Sequence, residues 1–453
     1  MMNIIIAGDG EVGFHLAEAL VHSNHDITIV DPHEELLKMV ESHTDLMTLV
    51  GESNSVGVLK QAHVEKADLV ISVLHDEKTN ILTAILGKKL GAKTTIARVN
   101  TLENLSEENQ KIYEELGIDL LISPEDIAGH EVIDLLEQPA AIEVYEISEG
   151  KFSIFLIRIE KDAPVTGKTL QEVAEYYGPL DFRAVVFHRG DETFLPTGNT
   201  VVQPGDLVYV ITKPESSEKL MEMGGKETQE INNIMIVGGG RVGRVIAKRM
   251  ESEMNIKLIE RDKEHCLTLT NLLDDTLIIH GDARDINLIE EEGIENMDAF
   301  IAVTNNSETN ILTCLHAKKF GVKKTIALVE NLDYIEISQN MGIDAIVNKK
   351  LIAASHIIRY SMSDDITYFK YMSGINAEIA EVVANKGSAV VKKPIKDLKI
   401  PEGAIIGGIV RGKETFIALG DLQIQEGDKV VVIALPGVMP GLEKLFTKSV
   451  FGI

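Results

Sequence analysis

Short apolar runs alternate with helical segments in the first 138 residues of the chain. The runs show no polar–apolar alternation and cover Asn3–Ala7, Asp26–Val30, Leu46–Val50, Asp68–Val73, Thr94–Val99 and Asp119–Ile122. Such runs are typical of parallel strands that are buried on both faces. Thr79–Leu90 is the clearest intervening helix, because its apolar residues fall on one face and Gly91 follows it. The pattern predicts an α/β fold with a doubly wound, Rossmann-like parallel sheet.

This pattern occurs a second time in the chain. Asn233–Gly243 repeats the order of residues in Asn3–Gly13, and Asn306–Leu312 repeats much of Asp76–Leu82. Self-similarity of this kind indicates a duplicated structural unit. We therefore expect two large domains of the same fold.

A different pattern follows each large domain. Short strand-like runs separated by turns begin at Ala140, and Gln203-Pro204-Gly205-Asp206 before one such run matches Gln425-Glu426-Gly427-Asp428 in the second half. This pattern favours a small α+β domain after each large one, with a polar linker after the first. The expected bounds are 1–138 and 232–361 for the large domains, 139–213 and 362–453 for the small domains, and 214–231 for the linker.

The stretch Gly8–Gly13 has the GxGxxG pattern, follows a strand and opens a helix. In such a loop Gly8 permits the tight turn, Gly10 lets the backbone approach a pyrophosphate, and Gly13 lets the helix pack against the strand. Asp31 ends the next strand about 20 residues later, where a carboxylate accepts hydrogen bonds from ribose hydroxyls. The pattern predicts a dinucleotide site for NAD(H); the alternative is a glycine turn that serves packing only.

Ligands of doubly wound sheets bind outside the carboxyl ends of the strands. In the first copy this edge is expected to hold Gly8, Asp9, Gly10, Glu11, Val12, Gly13, Asp31, Gly51, Glu52, Ser72 and Arg98. In the second copy the repeat gives Gly238, Gly240, Arg241, Val242, Gly243, Glu260, Gly281 and Asp282. These residues are the candidate cofactor-binding residues.

The two predicted pockets differ in charge. Arg98 either reaches a phosphate or forms an ion pair with a nearby carboxylate, and its counterpart Leu328 does neither. Arg241 stands in the second glycine loop where the first has Glu11. The two pockets should therefore not bind the same ligand equally.

Composition narrows the class of protein. The 453 residues carry a net charge of −27, which opposes nucleic acid and anionic lipid surfaces, although the charge also simply favours solubility. No apolar run reaches the ~18 residues of a membrane helix, and the first residues resemble no signal peptide. Cys266 and Cys314 form no CxxC motif, so neither a disulfide framework nor a metal site is expected. We expect an intracellular protein without direct membrane insertion.

No nucleophile–base arrangement is recognisable in the sequence, and the small domains offer no proton donor with an orienting cation. A cofactor site without catalytic groups suggests that the nucleotide is sensed as a signal and that the chain is not an enzyme. Two alternatives remain: a soluble NAD-dependent oxidoreductase, and a redox-sensing DNA-binding regulator, which the acidic charge opposes.

The chain resembles the family of TrkA potassium-uptake regulators, which contain paired RCK (KTN) domains. The resemblance covers essentially the whole length and rests on the glycine loop with Asp31, Asp76-Glu77-x-Thr79-Asn80, Ile96-Ala97-Arg98, Leu258-Ile259-Glu260-Arg261, Gly281-Asp282-Ala283 and Ile400-Pro401-x-Gly403-x-Ile405-Ile406-Gly407. It adds Arg261 and Ala283 to the candidate binding residues. This sequence departs from the family at Glu11, where such loops usually carry Gln or Arg.

The resemblance implies a cytoplasmic protein, peripheral at the inner face of the cell membrane, that regulates a potassium channel of the TrkH type. The large domains are then RCK-N domains with sites for NAD(H) and for adenine nucleotides, ATP or ADP among them. The small domains are RCK-C domains, and a dimer or tetramer of the chain forms a ring.

The segment Val132–Leu136 is strongly apolar. It forms either part of a domain core or a face that pairs the two large domains. A duplicated chain can satisfy a two-fold interface internally, so we expect the two large domains to pair within one chain.

Overall fold

The computed structural model describes residues 2–8, 13, 16–17, 20, 25–35, 37–38, 46–178, 181–190, 192–226, 230–372, 375 and 377–447, except for the side chain of Leu102. Four sheets follow one another along the chain: a six-stranded sheet, a five-stranded sheet, and a second sheet of each kind.

The first six-stranded sheet is parallel and doubly wound. Its strands are β1 Asn3–Ala7, β2 Asp26–Asp31, β3 Met47–Val50, β4 Leu69–Ser72, β5 Thr94–Arg98 and β6 Leu120–Ile122, in the spatial order β3-β2-β1-β4-β5-β6. The bounded helices are α1 Val56–Gln61, α2 Glu77–Leu90 and α3 Glu107–Leu116. The strand order reverses between β1 and β4, which is where a doubly wound sheet opens a crevice for ligand.

An antiparallel sheet follows. After α4 Pro124–Glu137, its elements are β7 Glu143–Ile147, β8 Phe152–Arg158, α5 Leu170–Tyr177, β9 Phe182–Arg189, β10 Glu192–Phe194 and β11 Leu207–Thr212. The strand order is β10-β9-β11-β8-β7.

The segment expected to be a polar linker contains a helix, α6 Ser217–Met223. Its Leu220, Met221 and Met223 are buried. Ser216-Ser217 and Gly224-Gly225 suggested a loop, but the apolar side chains between them pack inward and stabilise a helix.

The second parallel sheet repeats the first. Its elements are β12 Asn233–Val237, α7 Arg241–Met250, β13 Asn255–Glu260, α8 Lys263–Leu269, β14 Thr276–His280, α9 Ile286–Glu291, β15 Ala299–Ala302, α10 Ser307–Lys319, β16 Lys324–Leu328, α11 Asp333–Asn340, β17 Ala345–Val347 and α12 Lys349–Ile358. The strand order is β14-β13-β12-β15-β16-β17. Since this order is equivalent to that of the first sheet, the predicted duplication of a Rossmann-like fold is confirmed.

The last sheet is again antiparallel. Its elements are β18 Ile366–Tyr371, β19 Glu378–Val383, β20 Ala404–Arg411, β21 Glu414–Ile417, β22 Lys429–Ala434 and α13 Met439–Phe446, and the strand order is β18-β19-β22-β20-β21. One hydrophobic cluster joins both small sheets, with Phe152 and Tyr209 from the first and Ile379 and Ile433 from the second. The small domains therefore pack as a pair.

The repeated turn before β11 and β22 is held by a buried carboxylate. Asp206 Oδ2 accepts hydrogen bonds from the Gln203 N–H at 2.8 Å and from Arg189 Nη2 at 2.7 Å. In the second copy, Asp428 Oδ2 accepts from Gln425 N–H at 2.7 Å, and Arg411 Nη2 at 2.8 Å is again the ion-pair partner. The repeated Asp is thus a structural residue that joins a turn to a neighbouring strand.

The chain divides into two compact units, residues 1–127 with 349–364 and residues 128–348 with 365–453. The first unit thus includes α12, a helix from the second repeat. The second unit includes residues 128–137 of α4, where Val132 is fully buried and Gly129 lies so close to α7 that an added Cβ would be 2.6 Å from Val245 Cγ1. α4 therefore lies against α7 of the second large domain at Gly129.

None of the helices that the structure describes is long and apolar enough to cross a membrane.

Candidate nucleotide sites

The second glycine loop connects β12 to α7 with almost no free space. Gly238 has a φ of +104°, and a Cβ there would lie 3.0 Å from the Thr304 nitrogen and from the Val303 carbonyl. A Cβ at Gly243 would lie 2.0 Å from the Gly238 carbonyl oxygen. Glycine is required at both positions, because the loop turns sharply and α7 crosses it at backbone contact distance.

Gly240 differs from these two glycines. Its φ of −62° and ψ of −170° are accessible to any residue, and an added Cβ would have no heavy atom within 4 Å. The space beside Gly240 adjoins the first turn of the ten-residue helix α7, which begins at Arg241. Helix N-termini present unpaired N–H groups and a partial positive charge. This arrangement fits a pyrophosphate, which needs backbone approach at this position.

The carboxylate of Glu260, at the end of β13, binds the glycine loop. Its Oε2 accepts a hydrogen bond from Gly239 N–H at 2.9 Å, and its Oε1 accepts one from Asp262 N–H at 2.8 Å. His265 Nε2 contacts the Gly239 carbonyl oxygen at 2.8 Å. Each carboxylate oxygen has a second lone pair, so Glu260 can hold the loop and still accept from ribose hydroxyls.

The carboxylate of Asp282 forms an ion pair with the neighbouring Arg284. Arg284 Nη2 donates to its Oδ2 at 2.6 Å, and the Arg284 N–H donates to its Oδ1 at 3.0 Å. The Arg284 guanidinium lowers the pKa of Asp282 to about 2. Gly281 binds the Glu260 carbonyl oxygen through its N–H at 2.9 Å, and Ala283 is buried. These three residues thus shape the edge of the site. Arg241 and Arg261, like Arg284, are exposed cations.

Gly8 and Gly13 of the first loop approach each other as closely as Gly238 and Gly243 do in the second loop. Gly8 has a φ of +140°, and a Cβ at Gly13 would lie 2.2 Å from the Gly8 carbonyl oxygen. Asp9, Gly10, Glu11 and Val12 lie outside the described residues. The close approach of loop and helix is therefore common to both copies, as the repeated spacing of the glycines implies.

Asp31 is completely buried at the end of β2. Its Oδ1 accepts a hydrogen bond from His33 N–H at 2.8 Å and contacts His33 Nδ1 at 2.9 Å. Gly51 N–H donates to the Asp31 carbonyl oxygen at 2.9 Å, which places Gly51 and the exposed Glu52 beside it. His33 is not among the residues predicted from the sequence, although its position two residues after a predicted ribose-binding acid indicates a residue within reach of that carboxylate.

Ser72 belongs to a buried clamp at the switch point of the sheet. Its hydroxyl donates to Asn80 Oδ1 at 3.0 Å. Asn80 Nδ2 donates to the Leu74 and Arg98 carbonyl oxygens at 2.9 and 3.0 Å. Asn310 repeats this clamp in the second copy. The repeated asparagine therefore ties each switch-point helix to the ends of two strands.

The sequence allows Arg98 either a phosphate contact or an ion pair with a carboxylate, and the structure contains the ion pair. Arg98 Nη2 lies 2.8 Å from Glu125 Oε1, and the two side chains are only 11% and 9% exposed. Arg98 also ends β5, so its backbone stays at the carboxyl edge while its guanidinium is engaged with Glu125.

A doubly wound domain with a glycine loop, followed by an antiparallel domain and then repeated, defines the tandem RCK class. The model of the TrkA-N domain matches residues 4–124 and 234–349, and that of the TrkA-C domain matches residues 154–223 and 379–447. The chain belongs to the TrkA family.

Full-length relatives agree with this assignment. The Trk system potassium uptake protein TrkA homolog 1 of Methanosarcina mazei is 33% identical over 454 residues, which are 98% of this chain and 100% of the relative. The Trk system potassium uptake protein TrkA of Haemophilus influenzae is 33% identical over 458 residues, 100% of both chains.

Solved structures share the fold. The GsuK RCK domain superposes with a TM-score of 0.61 at 17% identity, over 98% of this chain and 95% of that one. The GsuK channel bound to NAD gives 0.61 at 17% identity, over 98% and 79%. GsuK bound to ADP gives 0.51 at 14% identity, over 79% and 68%.

Proposed function

We propose that this chain is a cytoplasmic, nucleotide-sensing regulatory subunit that gates a membrane potassium channel of the TrkH type. Family membership supports the potassium system, since the full-length relatives carry the name of Trk potassium uptake proteins. The observation that carries nucleotide sensing is the open position at Gly240, where a glycine lies at a helix N-terminus with no packing reason for lacking a Cβ.

The proposal includes a division of labour between the two copies. NAD(H) binds the first copy, where Asp31 ends β2 and repels a 2′-phosphate. ATP or ADP binds the second copy, where Arg241 and Arg261 add positive charge beside the loop. GsuK, which shares the fold, has been solved with NAD and with ADP. This proposal includes the candidate binding residues named from the sequence. It also includes the expected bounds of the four domains and of the linker.

The nucleotide acts by shifting the protein between two conformations. A ligand shifts a conformational equilibrium only when its affinities for the two states differ, and couplings of about 1–3 kcal/mol are typical. Here the loop at Gly240 and the end of β13 meet through Glu260, so a nucleotide between them can favour one arrangement. A dimer or tetramer of chains, peripheral to the membrane, would transmit this preference to the channel as a ring.

The family does not favour the alternative of a soluble NAD-dependent oxidoreductase. We propose that the chain has no turnover of its own. Sustained NADH oxidation with common metabolites would contradict this.

Potassium flux into proteoliposomes tests the proposed function. The full-length protein is added to a TrkH-type channel from the same host, with NAD, NADH, ADP or ATP. We expect the nucleotide to change the flux with wild-type protein, and Gly240→Ala to lose the response to ADP or ATP while it keeps the response to NADH. Gly441→Ala is the matched control, because an added Cβ there meets only Pro401 Cγ at 3.9 Å.

A flux that is unaffected by the protein would overturn the regulatory function. A protein-dependent flux that ignores every nucleotide would overturn the sensing alone. If Gly240→Ala loses the responses to NADH and to ATP equally, the division of labour is wrong.

A further inference from the structure

A polar cavity of about 510 Å³ lies at the amino-terminal edge of the second parallel sheet. Its wall includes the starts of β16 and β17, the loop at Pro139–Ile142, and Arg158 at the end of β8. Of the candidate nucleotide-binding residues that the structure describes, none lines this cavity. The volume suits a small metabolite.

Lys324 is a buried cation on this wall, with only 2% of its surface exposed. Its Nζ donates to the Pro139 carbonyl oxygen at 3.1 Å and to the Ala141 carbonyl oxygen at 2.5 Å. An ammonium group has three N–H donors, so one donor remains after these two bonds. Within the described part of the chain no carboxylate forms an ion pair with Lys324. Burial lowers the pKa of Lys324 to about 8, although the charge of Asp344 acts in the opposite direction.

Asp344 is the acid on the wall whose charge acts on Lys324, and its carboxylate already has other partners. Its carboxylate binds Lys318 Nζ at 2.8 and 2.9 Å and also accepts hydrogen bonds from the Thr325 N–H and hydroxyl at 2.8 Å. Glu160, another acid on the wall, pairs with Lys226. Glu230 is the third acid among the wall residues that the structure describes, and Lys323 is a further cation. Four cations and three acids thus line this wall, so part of its positive charge is uncompensated.

Arg158 is the second cation without a counterion. It is half-buried, and no side-chain hydrogen bond or ion pair engages its guanidinium among the residues that the structure describes. Gln339 also lines the cavity, is 7% exposed, and has a buried Nε2 that lacks an acceptor within the same residues. Residues of β8, β16 and α11 thus line one cavity with N–H donors that the described residues satisfy only in part.

We propose that this cavity binds a small oxyanion, a metabolite with a phosphate or carboxylate group, through Arg158 and Lys324. Hydrogen bonds between ionised partners are the strong ones, and they gain further in a cavity that is partly shielded from water. The net charge of the chain is −27, so its solubility does not depend on a cationic cavity. Because Arg158 lies in the first small domain and Lys324 in the second large domain, the anion would join them.

Calorimetry on the full-length protein tests the site, with inorganic pyrophosphate and citrate as probes and sodium chloride at matched ionic strength as the blank. We expect one of the probes to bind at sub-millimolar to millimolar concentration. Tighter binding of pyrophosphate would identify a phosphate ligand, and tighter binding of citrate a carboxylate ligand. No heat above the chloride blank with either probe would overturn the proposal.

Arg158→Gln should weaken binding by about tenfold or more, the value of one charged hydrogen bond. Arg249→Gln is the matched control, because Arg249 is 62% exposed on α7 and does not line the cavity. Wild-type affinity in Arg158→Gln would refute the site.

Two further measurements separate this site from the nucleotide site. Gly240→Ala blocks phosphate access to the glycine loop, so the probe should still bind this variant at the cavity. Loss of all binding in Gly240→Ala would place the anion at the glycine loop. Binding near the pKa of Lys324 should take up a proton, since the anion stabilises the ammonium form. Calorimetry in two buffers of different ionisation enthalpy detects this uptake, and its absence would place the anion away from Lys324.

Discussion

Gly240 and Gly243 allow the binding and folding roles of the second glycine loop to be measured separately. Alanine fits the backbone at Gly240 and meets no heavy atom within 4 Å, so Gly240→Ala should change the free energy of unfolding by less than about 1 kcal/mol. At Gly243 the new Cβ would lie 2.0 Å from the Gly238 carbonyl oxygen. The loop or helix must move, which should cost about 1–3 kcal/mol.

The effect on binding follows from the same geometry. A methyl group at Gly240 occupies the space through which a phosphate reaches the first N–H groups of α7. A hydrogen bond to a charged acceptor is worth about 1.5–3 kcal/mol. The loss of one such bond therefore weakens ADP binding by roughly ten- to hundredfold.

Urea unfolding and titration calorimetry with ADP measure the two effects on the full-length protein. Gly441→Ala controls for a glycine-to-alanine change in an unobstructed position away from the loop. Wild-type ADP affinity in Gly240→Ala would refute the inference that a phosphate binds beside Gly240 at the start of α7. Wild-type stability in Gly243→Ala would refute the inference that close approach to Gly238 requires glycine there.

Three further predictions concern other residues. Asp31→Ala should weaken NADH binding by roughly 10- to 100-fold, since it removes a charged acceptor from the ribose; equal wild-type affinities for NADH and NADPH in calorimetry would contradict this. Arg98→Met should lower the free energy of unfolding in urea by about 3–5 kcal/mol, because it removes one partner of a buried ion pair; a loss below about 1 kcal/mol, the level of a surface pair, would refute the buried pair. Burial, followed by the charge of Glu146, raises the pKa of Asp134 from 3.8 to about 6. The unfolded chain then ionises first, so stability falls as pH rises between these values, and Asp134→Asn should be more stable than wild type above pH 6 by about 3 kcal/mol. The two proteins should unfold alike below pH 3.8, and parallel stability curves across this range would show that Asp134 is not the titrating group.

The sequence by itself determined the features that depend on neighbours along the chain. β1 occupies Asn3–Ala7, the run predicted from its apolar residues. The spacing of Gly238 and Gly243 anticipated the crossing of loop and helix, because both residues belong to one strand–turn–helix unit. The duplicated pattern gave the two parallel sheets, since each copy contains its own strand and helix signals.

Only the tertiary structure decided contacts between distant segments. Arg98 binds Glu125, which is remote in sequence, and the choice between ion pair and ligand depends on which groups the fold brings within reach. Lys324 starts β16 and is buried because the Pro139–Ala141 loop packs on it, a contact between segments about 185 residues apart. α12 joins the compact unit of the first large domain, although it follows the second along the chain. Burial depends on which surfaces meet in three dimensions, and hydrophobic periodicity along one segment carries no information about its partner.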